Sequence, residues 1–364
     1  KFNMKIGEVK DAEKNILGAV DKKTESDKIH TLLANFYRET REFEKAKKAF
    51  KEAISKSKNP GDIKAMLADL YYETGKLDLA QKEIQEILAD DPQHPVANLV
   101  QAKLNTREGK NAEALEMLDQ LIEGAPKWGE AYYLKGVAHL NKGEIELSLN
   151  AANQALKYAP ENAEARTLLA QHLLLKKDFE AARNNAARAL RGPGSNLRAG
   201  IILAKSFLSL GEIENAVNLL EKMKTYAPNN TEILYTQANA RLAQKNIPAA
   251  QNNLEKILSL NPDFSPALLN LSKILIQQEK TDQAIAKVKQ QLQKSPNNPN
   301  HMLLLAGLLD AYGDSPDEAL KLIETAKKID PENPRIYTMS AGILARKGEI
   351  NKAIEKYRTL TQKK

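Results

Sequence analysis

The sequence of 364 residues is built on a repeat of 34 residues, and this period constrains the fold more than any other feature. A small residue recurs at this spacing, with a single step of 35 between Ala284 and Ala319. The full series is Ala12, Ala46, Ala80, Ala114, Ser148, Ala182, Ala216, Ala250, Ala284, Ala319 and Ala353. A proline series and a glycine series share the register, namely Pro92, Pro126, Pro160, Pro228, Pro262, Pro296 and Pro331, and Gly7, Gly75, Gly109, Gly143, Gly211 and Gly348. Self-similarity at a fixed period predicts a repeat architecture, not separate globular domains.

Each repeat is predicted to contain two helices. A mid-repeat glycine such as Gly75 follows a helical pattern and can end a helix in the left-handed conformation without steric cost. Five residues later, a small side chain such as Ala80 allows the second helix to approach the first closely, and Ile84 follows one turn on along the same face. The proline at the end, Pro92 in this repeat, stops the second helix. Aromatic residues make up only 5% of the chain, which favours helix over sheet.

These marks resemble the tetratricopeptide repeat family. The repeat that starts near residue 61 shows the family pattern as Leu67, Ala68, Tyr71, Gly75, Ala80, Ile84, Ile87 and Pro92. The resemblance implies an all-α fold, a right-handed superhelical solenoid of antiparallel helix pairs. It also implies that the first helix of each pair lines the concave face and that the family's usual role, protein binding, applies. The length of the array resembles that of bacterial envelope and secretion-associated scaffold proteins of this family.

The predicted division has a partial repeat followed by ten full ones. Residues 1–26 are expected to hold the second helix of a truncated repeat, at about residues 7–22, and residues 27–364 the ten repeats. These start near residues 27, 61, 95, 129, 163, 197, 231, 265, 299 and 334. The repeat at 163 has Lys177 where others have glycine, and the repeat at 299 has one extra residue near Gly313. Because the ends of a solenoid usually need a polar outer face, we expect a segment of a longer protein. End-to-end self-association of the uncapped repeats is a further expectation.

No pattern in the sequence predicts chemistry. The chain contains no cysteine, which excludes a disulfide scaffold, a thiol nucleophile and Cys-ligated zinc. The longest apolar run, Met302 to Leu309, is far shorter than the roughly 20 residues of a membrane-spanning helix. His139 and His172 occupy nearly matching positions in adjacent repeats, but a metal site needs a third ligand, and packing is the favoured interpretation. We therefore predict no catalytic residues, no metal and no cofactor.

A binding groove is predicted along the first helices, from the resemblance together with the residues at two helical positions. Tyr133 and Tyr235 are candidate anchors, and three lysines are spaced along the groove. The full candidate set is Asn35, Asp69, Lys103, Tyr133, Gln171, Lys205, Tyr235, Asn239 and Lys273. Tyrosine and charged donors in a concave surface suit an extended peptide or another protein. The alternative is that these positions are solvent-exposed and accept any polar residue without a role in binding.

Two further features of the sequence bear on an acidic ligand. Asn239 and Asn270 fit the asparagine positions of the two-carboxylate clamp found in co-chaperones of this family, but Tyr235, Asn300 and Leu304 stand where that clamp needs basic residues. A chaperone C-terminal tail is therefore not expected. A basic cluster surrounds an irregular turn and is predicted to attract an acidic partner or a polyanion. It consists of Arg183, Arg188, Arg191 and Arg198, with Lys205 nearby.

The functional prediction is a non-enzymatic scaffold that binds a protein or peptide along the groove. A component of a bacterial exopolysaccharide or envelope secretion system is the first alternative, and a regulatory arm of an enzyme encoded outside this segment is the second. The net charge of +7 is mild and Lys and Glu are interleaved, so no nucleic-acid partner is expected. The absence of cysteine favours the bacterial periplasm or envelope over the cytoplasm.

Overall fold

The computed structural model describes residues 11, 13–18, 26–191 and 196–362, and every regular element in this part of the chain is an α-helix. Residues 13–18 are helical and fall within the predicted partial repeat, whose remaining residues lie outside the described ranges apart from residues 11 and 26. Successive helices contact each other from residue 27 to residue 189, and again from residue 213 to residue 362, and they form antiparallel pairs. The predicted all-α array of helix pairs is therefore confirmed.

We number the twenty helices from residue 27 to residue 362 as α1 to α20, so that odd numbers mark the first helix of a pair. The first helices are α1 (Asp27–Glu39), α3 (Gly61–Glu73), α5 (Pro95–Arg107), α7 (Gly129–Asn141), α9 (Ala163–Leu175), α11 (Leu197–Ser209), α13 (Thr231–Ala243), α15 (Ser265–Gln277), α17 (Pro299–Tyr312) and α19 (Pro334–Arg346). The second helices are α2 (Phe43–Lys56), α4 (Leu77–Asp90), α6 (Asn111–Gly124), α8 (Ile145–Tyr158), α10 (Phe179–Ala189), α12 (Ile213–Tyr226), α14 (Ile247–Leu260), α16 (Thr281–Lys294), α18 (Pro316–Ile329) and α20 (Ile350–Gln362). We keep the division into ten repeats and a partial repeat as a proposal.

The chain divides into two compact halves, residues 1–206 and residues 207–364, which we call the N-terminal half and the C-terminal half. In the N-terminal half, α3 contacts α5, and α5 contacts α7, so successive first helices touch directly. In the C-terminal half, α15 contacts α17 and α17 contacts α19 in the same way. The first helices therefore form a continuous surface from α3 to α7 in the N-terminal half and from α15 to α19 in the C-terminal half.

The turn between the two helices of a repeat requires one residue in the left-handed conformation. Gly75 and Gly143 adopt it with φ of 75° and 77°. Lys177, which the sequence marked as a departure, adopts the same conformation with φ of 62°, as does Lys245 with φ of 60°. The loss of glycine therefore leaves the turn intact, because the helix contacts on either side impose its geometry at the expense of some backbone strain.

The small residue of the second helix belongs to the buried core of the repeats. All nine small residues from Ala46 to Ala319 in the series have zero exposure. The large residue four positions on is also completely buried in most repeats, as Phe50, Ile84, Leu118, Leu220, Leu254, Val288 and Ile323. Tyr357 at the same position of α20 is 47% exposed. The predicted packing positions are thus buried, while the end-to-end association of exposed faces stays a prediction.

Replacing Ala216 by Trp tests the packing register of α12. Ala216 has no exposed surface, so the indole must displace neighbouring backbone, and we expect a loss of about 1–3 kcal/mol in the free energy of unfolding. Thermal and urea unfolding followed by circular dichroism measure it. Asn218→Trp is the control, because Asn218 is exposed on the same helix. Equal stability of the two variants would contradict the register.

Candidate functional site

The candidate groove residues of the N-terminal half form a chain of ion pairs between successive first helices. Asp69 on α3 accepts from Arg38 Nη2 at 2.6 Å and from Lys103 Nζ at 2.8 Å. Lys103 also contacts Glu130 at 2.7 Å, and Arg38 Nε donates to Glu73 at 2.8 Å. The side chains of Asp69 and Lys103 are only 12% and 11% exposed. Two of the predicted groove residues are therefore bound to each other.

Electrostatics hold this network in its charged form. Burial by itself raises the pKa of the Asp69 carboxyl, but Lys103 and Arg38 outweigh that effect and keep its pKa below the ordinary value. Burial likewise disfavours the charged Lys103 ammonium, yet Asp69 and Glu130 raise its pKa to about 12. Each of these charged groups has at least one partner of opposite charge, so the buried Asp69 and Lys103 are engaged within the network.

Tyr133 lies further along the N-terminal half and lines a small cavity of about 70 Å³. Tyr133 lines it together with Glu164 and Arg198, and burial, followed by the charge of Glu164, raises the pKa of the Tyr133 hydroxyl to about 12. Arg198 also donates to Oε1 of Gln171. The structure thus places one member of the predicted basic cluster beside the predicted groove residues.

In the C-terminal half, the predicted groove residues Tyr235 and Asn239 form a neutral hydrogen-bonded group with Asn270, which spans α13 and α15. The amide nitrogen of Asn270 lies 3.2 Å from Oδ1 of Asn239 and 3.3 Å from the hydroxyl of Tyr235. The ring of Tyr235 packs edge-on against Phe264 at a centroid distance of 5.3 Å. Tyr235, Asn239 and Asn270 are each half-buried, and Lys273 on the next turn is exposed. We call Tyr235, Asn239 and Asn270 the amide patch.

The remaining predicted residues are more dispersed. Asn35 and Lys205 are half-buried, and Lys205 has an interaction partner. Arg183 also has a partner, whereas Arg188 and Arg191 are exposed. The irregular turn at residues 192–195 lies outside the described residues. The contact of Arg198 with Gln171 relates the predicted basic cluster to the groove.

The two histidines that suggested a metal site each have a different partner. Nδ1 of His139 lies 2.6 Å from Glu144, and Nε2 of His172 lies 2.8 Å from the Ser148 hydroxyl. Ser148 in turn donates to the carbonyl of Gly136 at 2.5 Å. Serine in the small-residue series is thus explained by a buried hydrogen-bonded bridge. Among the residues that the structure describes, no group of three potential metal ligands occurs.

His301 is a buried polar residue whose environment the sequence did not reveal. It has zero exposure, and neither ring nitrogen has a hydrogen-bond partner among the described residues. Burial lowers its pKa below the ordinary value of 6.5, and this outweighs the opposing charge of Asp263. The third residue of the other first helices is alanine or isoleucine, as Ala267 and Ile336 show. An imidazole therefore occupies an apolar site.

Sequence reasoning identified Asp69 and Lys103 but missed three members of the ion network. None of the three is at the ninth helix position that defined the groove. Arg38 lies three residues after that position and Glu73 four residues after it, whereas Glu130 lies at the start of its helix. A search for opposite charges one repeat apart would have found Asp69 and Lys103, whose separation is 34 residues. The contact with Arg38 also depends on the distance that its long side chain spans.

The helix pairs and the shared surface of the first helices define a class of helical-repeat scaffold. Sequence profiles described as tetratricopeptide repeat match residues 37–104, 207–272, 241–306 and 275–339, and a second such profile matches residues 99–152 and 133–197. The chain belongs to the tetratricopeptide repeat family.

Solved structures support the same fold at low sequence identity. A structure of the human IFIT1 dimer with m7Gppp-AAAA has a TM-score of 0.56 and 17% identity, and the alignment covers 100% of this chain and 96% of that one. The Cut9–Hcn1 hetero-tetramer of the APC/C has a TM-score of 0.53 and 14% identity, with 91% and 80% coverage. A comparison of the sequence with curated proteins finds no significant match. In the described part of the chain, no helix combines the length and the apolar character needed to cross a bilayer.

Asp69→Asn tests the ion network. The substitution leaves Arg38 and Lys103 facing an uncharged amide in a buried site, so we expect a loss of about 3 kcal/mol in the free energy of unfolding. Chemical denaturation measures it. Asp317→Asn is the control, since Asp317 pairs with Lys347 but is 77% exposed, and we expect no measurable change there. Equal losses of unfolding free energy for the two substitutions would show that the buried network stabilises the fold no more than an exposed ion pair does.

His301→Ile tests the buried imidazole. Because the pKa of folded His301 is below that of the unfolded chain, the unfolded state binds a proton that the folded state excludes, and stability falls as the pH drops below about 6.5. Isoleucine removes this penalty and the unpaired nitrogens, so we expect a gain of about 1–3 kcal/mol at neutral pH. Unfolding curves at about pH 7.5 and about pH 5.5 measure both effects. An unchanged acid sensitivity would contradict the assignment to His301.

Proposed function

We propose that this protein is a non-enzymatic scaffold that binds an extended peptide segment of a partner protein on the first helices of the C-terminal half. The observation that carries the proposal is the amide patch. Carboxamides are the side chains that match the alternating donors and acceptors of a peptide backbone. Protein binding is the usual role of the family, and the groove location remains our proposal.

Hydrogen-bonding capacity remains in the amide patch. The Asn270 amide nitrogen donates to Asn239 and to the Tyr235 hydroxyl. Within the described chain, the amide nitrogen of Asn239 and the side-chain oxygen of Asn270 form no hydrogen bond. One donor group and one acceptor on adjacent helices are thus available to a ligand. In the N-terminal half, by contrast, Asp69 and Lys103 neutralise each other, which favours the C-terminal half as the binding region.

Two glycines extend the same surface. Gly307 on α17 and Gly342 on α19 are the ninth residues of their helices, the position that Asn239 occupies on α13. A Cβ atom at Gly307 would meet only the end of Met339, at 3.5 Å. By contrast, a Cβ at Gly136 would lie 2.9 Å from Leu168. Helix packing therefore requires glycine at position 136 but not at position 307. At Gly307, the close approach of a ligand backbone accounts for the glycine.

Affinity capture with the immobilised chain tests the proposal. We expect the double variant Asn239→Ala, Asn270→Ala to recover its partner roughly tenfold less well than the unaltered protein, since two backbone hydrogen bonds are lost. The measurement is quantitative mass spectrometry of proteins captured from a lysate of the native source. The matched control is Asn218→Ala, Asn252→Ala, which removes two exposed asparagines from the second helices α12 and α14.

A second variant separates steric access from hydrogen bonding. Gly307→Leu adds a side chain on the proposed surface and meets only the flexible Met339 in the fold, so we expect reduced capture without loss of thermal stability. Equal capture by the unaltered protein, the double variant and Gly307→Leu would place the binding surface elsewhere. The predictions of an envelope or exopolysaccharide role, of a regulatory arm of an enzyme and of no nucleic-acid partner stay open.

A further inference from the structure

A cleft of about 210 Å³ lies in the third repeat, between the start of α5 and the end of α6. Its walls include Met117, Leu121 and Trp128, and its polar lining includes Asn98 and Gln120. No charged residue is among the described residues that line it. The cleft therefore combines an apolar interior with neutral carboxamides, the composition of a pocket for an uncharged side chain.

The cleft is open because the last residue of α6 is Gly124. The last residues of the second helices that end in the same register are Lys56, Asp90, Tyr158, Tyr226, Leu260, Lys294 and Ile329. A Cβ built on Gly124 meets no atom within 4 Å. The absence of a side chain at this one position leaves space that the neighbouring elements do not fill.

The fourth repeat shows what fills the equivalent space. Tyr158, the last residue of α8, stacks on Tyr132, the fourth residue of α7, with ring centroids 5.5 Å apart and planes tilted by 30°. The third repeat has Gly124 and Asn98 at these two positions. The end of the second helix thus carries an aromatic ring in the fourth repeat and no ring in the third.

We propose that the cleft at Gly124 binds an aromatic side chain presented by a partner polypeptide, in the place that Tyr158 occupies in the next repeat. The volume is sufficient, since an apolar cavity of about 150 Å³ accommodates benzene. Trp128 supplies an aromatic wall for the incoming ring. The amide nitrogen of Asn98 donates to the carbonyls of Pro92 and His94, so its side-chain oxygen, together with the carboxamide of Gln120, supplies neutral hydrogen-bonding groups for the backbone that carries the ring. This site is separate from the amide patch and does not depend on it.

Trp128 is the only tryptophan of the chain, so its fluorescence reports directly on the cleft. The experiment titrates the full chain with the capped tripeptide acetyl-Gly-Phe-Gly-amide. We expect a saturable change in emission with a Kd on the order of 1 mM, as befits a single anchoring side chain. Acetyl-Gly-Ala-Gly-amide should produce no saturable change. Absence of a difference between the two peptides would overturn the proposal.

Two substitutions at Gly124 provide the structural test. Gly124→Tyr supplies the ring from within the chain and should weaken tripeptide binding by at least about tenfold. Gly124→Ala, the matched control, leaves most of the cleft open and should bind as the unaltered protein does. The ¹⁹F line width of a 4-fluorophenylalanine tripeptide provides a readout independent of the added tyrosine. Circular dichroism confirms that both variants are folded. Equal binding by Gly124→Tyr would overturn the assignment.

Benzyl alcohol distinguishes a side chain on a polypeptide from a free aromatic compound. If the cleft accepts a partner side chain, the tripeptide and benzyl alcohol compete for it, and Gly124→Tyr weakens both. Binding of benzyl alcohol without binding of the tripeptide would show that the flanking backbone is excluded, and would overturn a polypeptide partner.

Discussion

The close approach of two helices at one small residue is the constraint on which the rest of the structure depends. From Ala46 to Ala319 this residue has no exposed surface in any repeat. Where serine replaces alanine, at Ser148, a bridge to Gly136 and His172 satisfies its hydroxyl, so the close contact survives. Because each repeat buries its core locally and against its neighbours, stability is the sum of many similar contacts. The faces away from these contacts are free to vary and to acquire function.

The surface of the first helices shows how that freedom is used differently in the two halves. In the N-terminal half, Asp69 pairs with both Arg38 and Lys103, so these charges join successive repeats. In the C-terminal half, Asn239 and Asn270 leave hydrogen-bonding groups available. The polar residues of a solenoid face are therefore not equivalent, and their contacts separate those that hold repeats together from those that suit a partner.

Equivalent positions in different repeats of the same chain can also be compared with one another. The IFIT1 and Cut9–Hcn1 structures are 17% and 14% identical to this chain, so they establish the fold alone. The repeats of this chain, in contrast, share helix geometry and register. Gly124 against Tyr158, and His301 against Ala267, reveal local departures that distant structures do not resolve. One departure opens a cleft and the other buries an imidazole in an apolar site.

The sequence by itself determined the helix pairs, the buried small-residue positions and the family, because a 34-residue period records local contacts that every repeat makes in the same way. It also predicted which residues belong to the first-helix surface. Only the tertiary structure decided that Asp69 is paired with Arg38 and Lys103, whereas the amide patch keeps hydrogen-bonding groups without a partner in the described chain. That distinction depends on distances of 2.6 to 3.3 Å between side chains about one repeat apart. Periodicity places such residues on the same face, but the reach and pairing of each side chain are set by the packing of the helices that carry them.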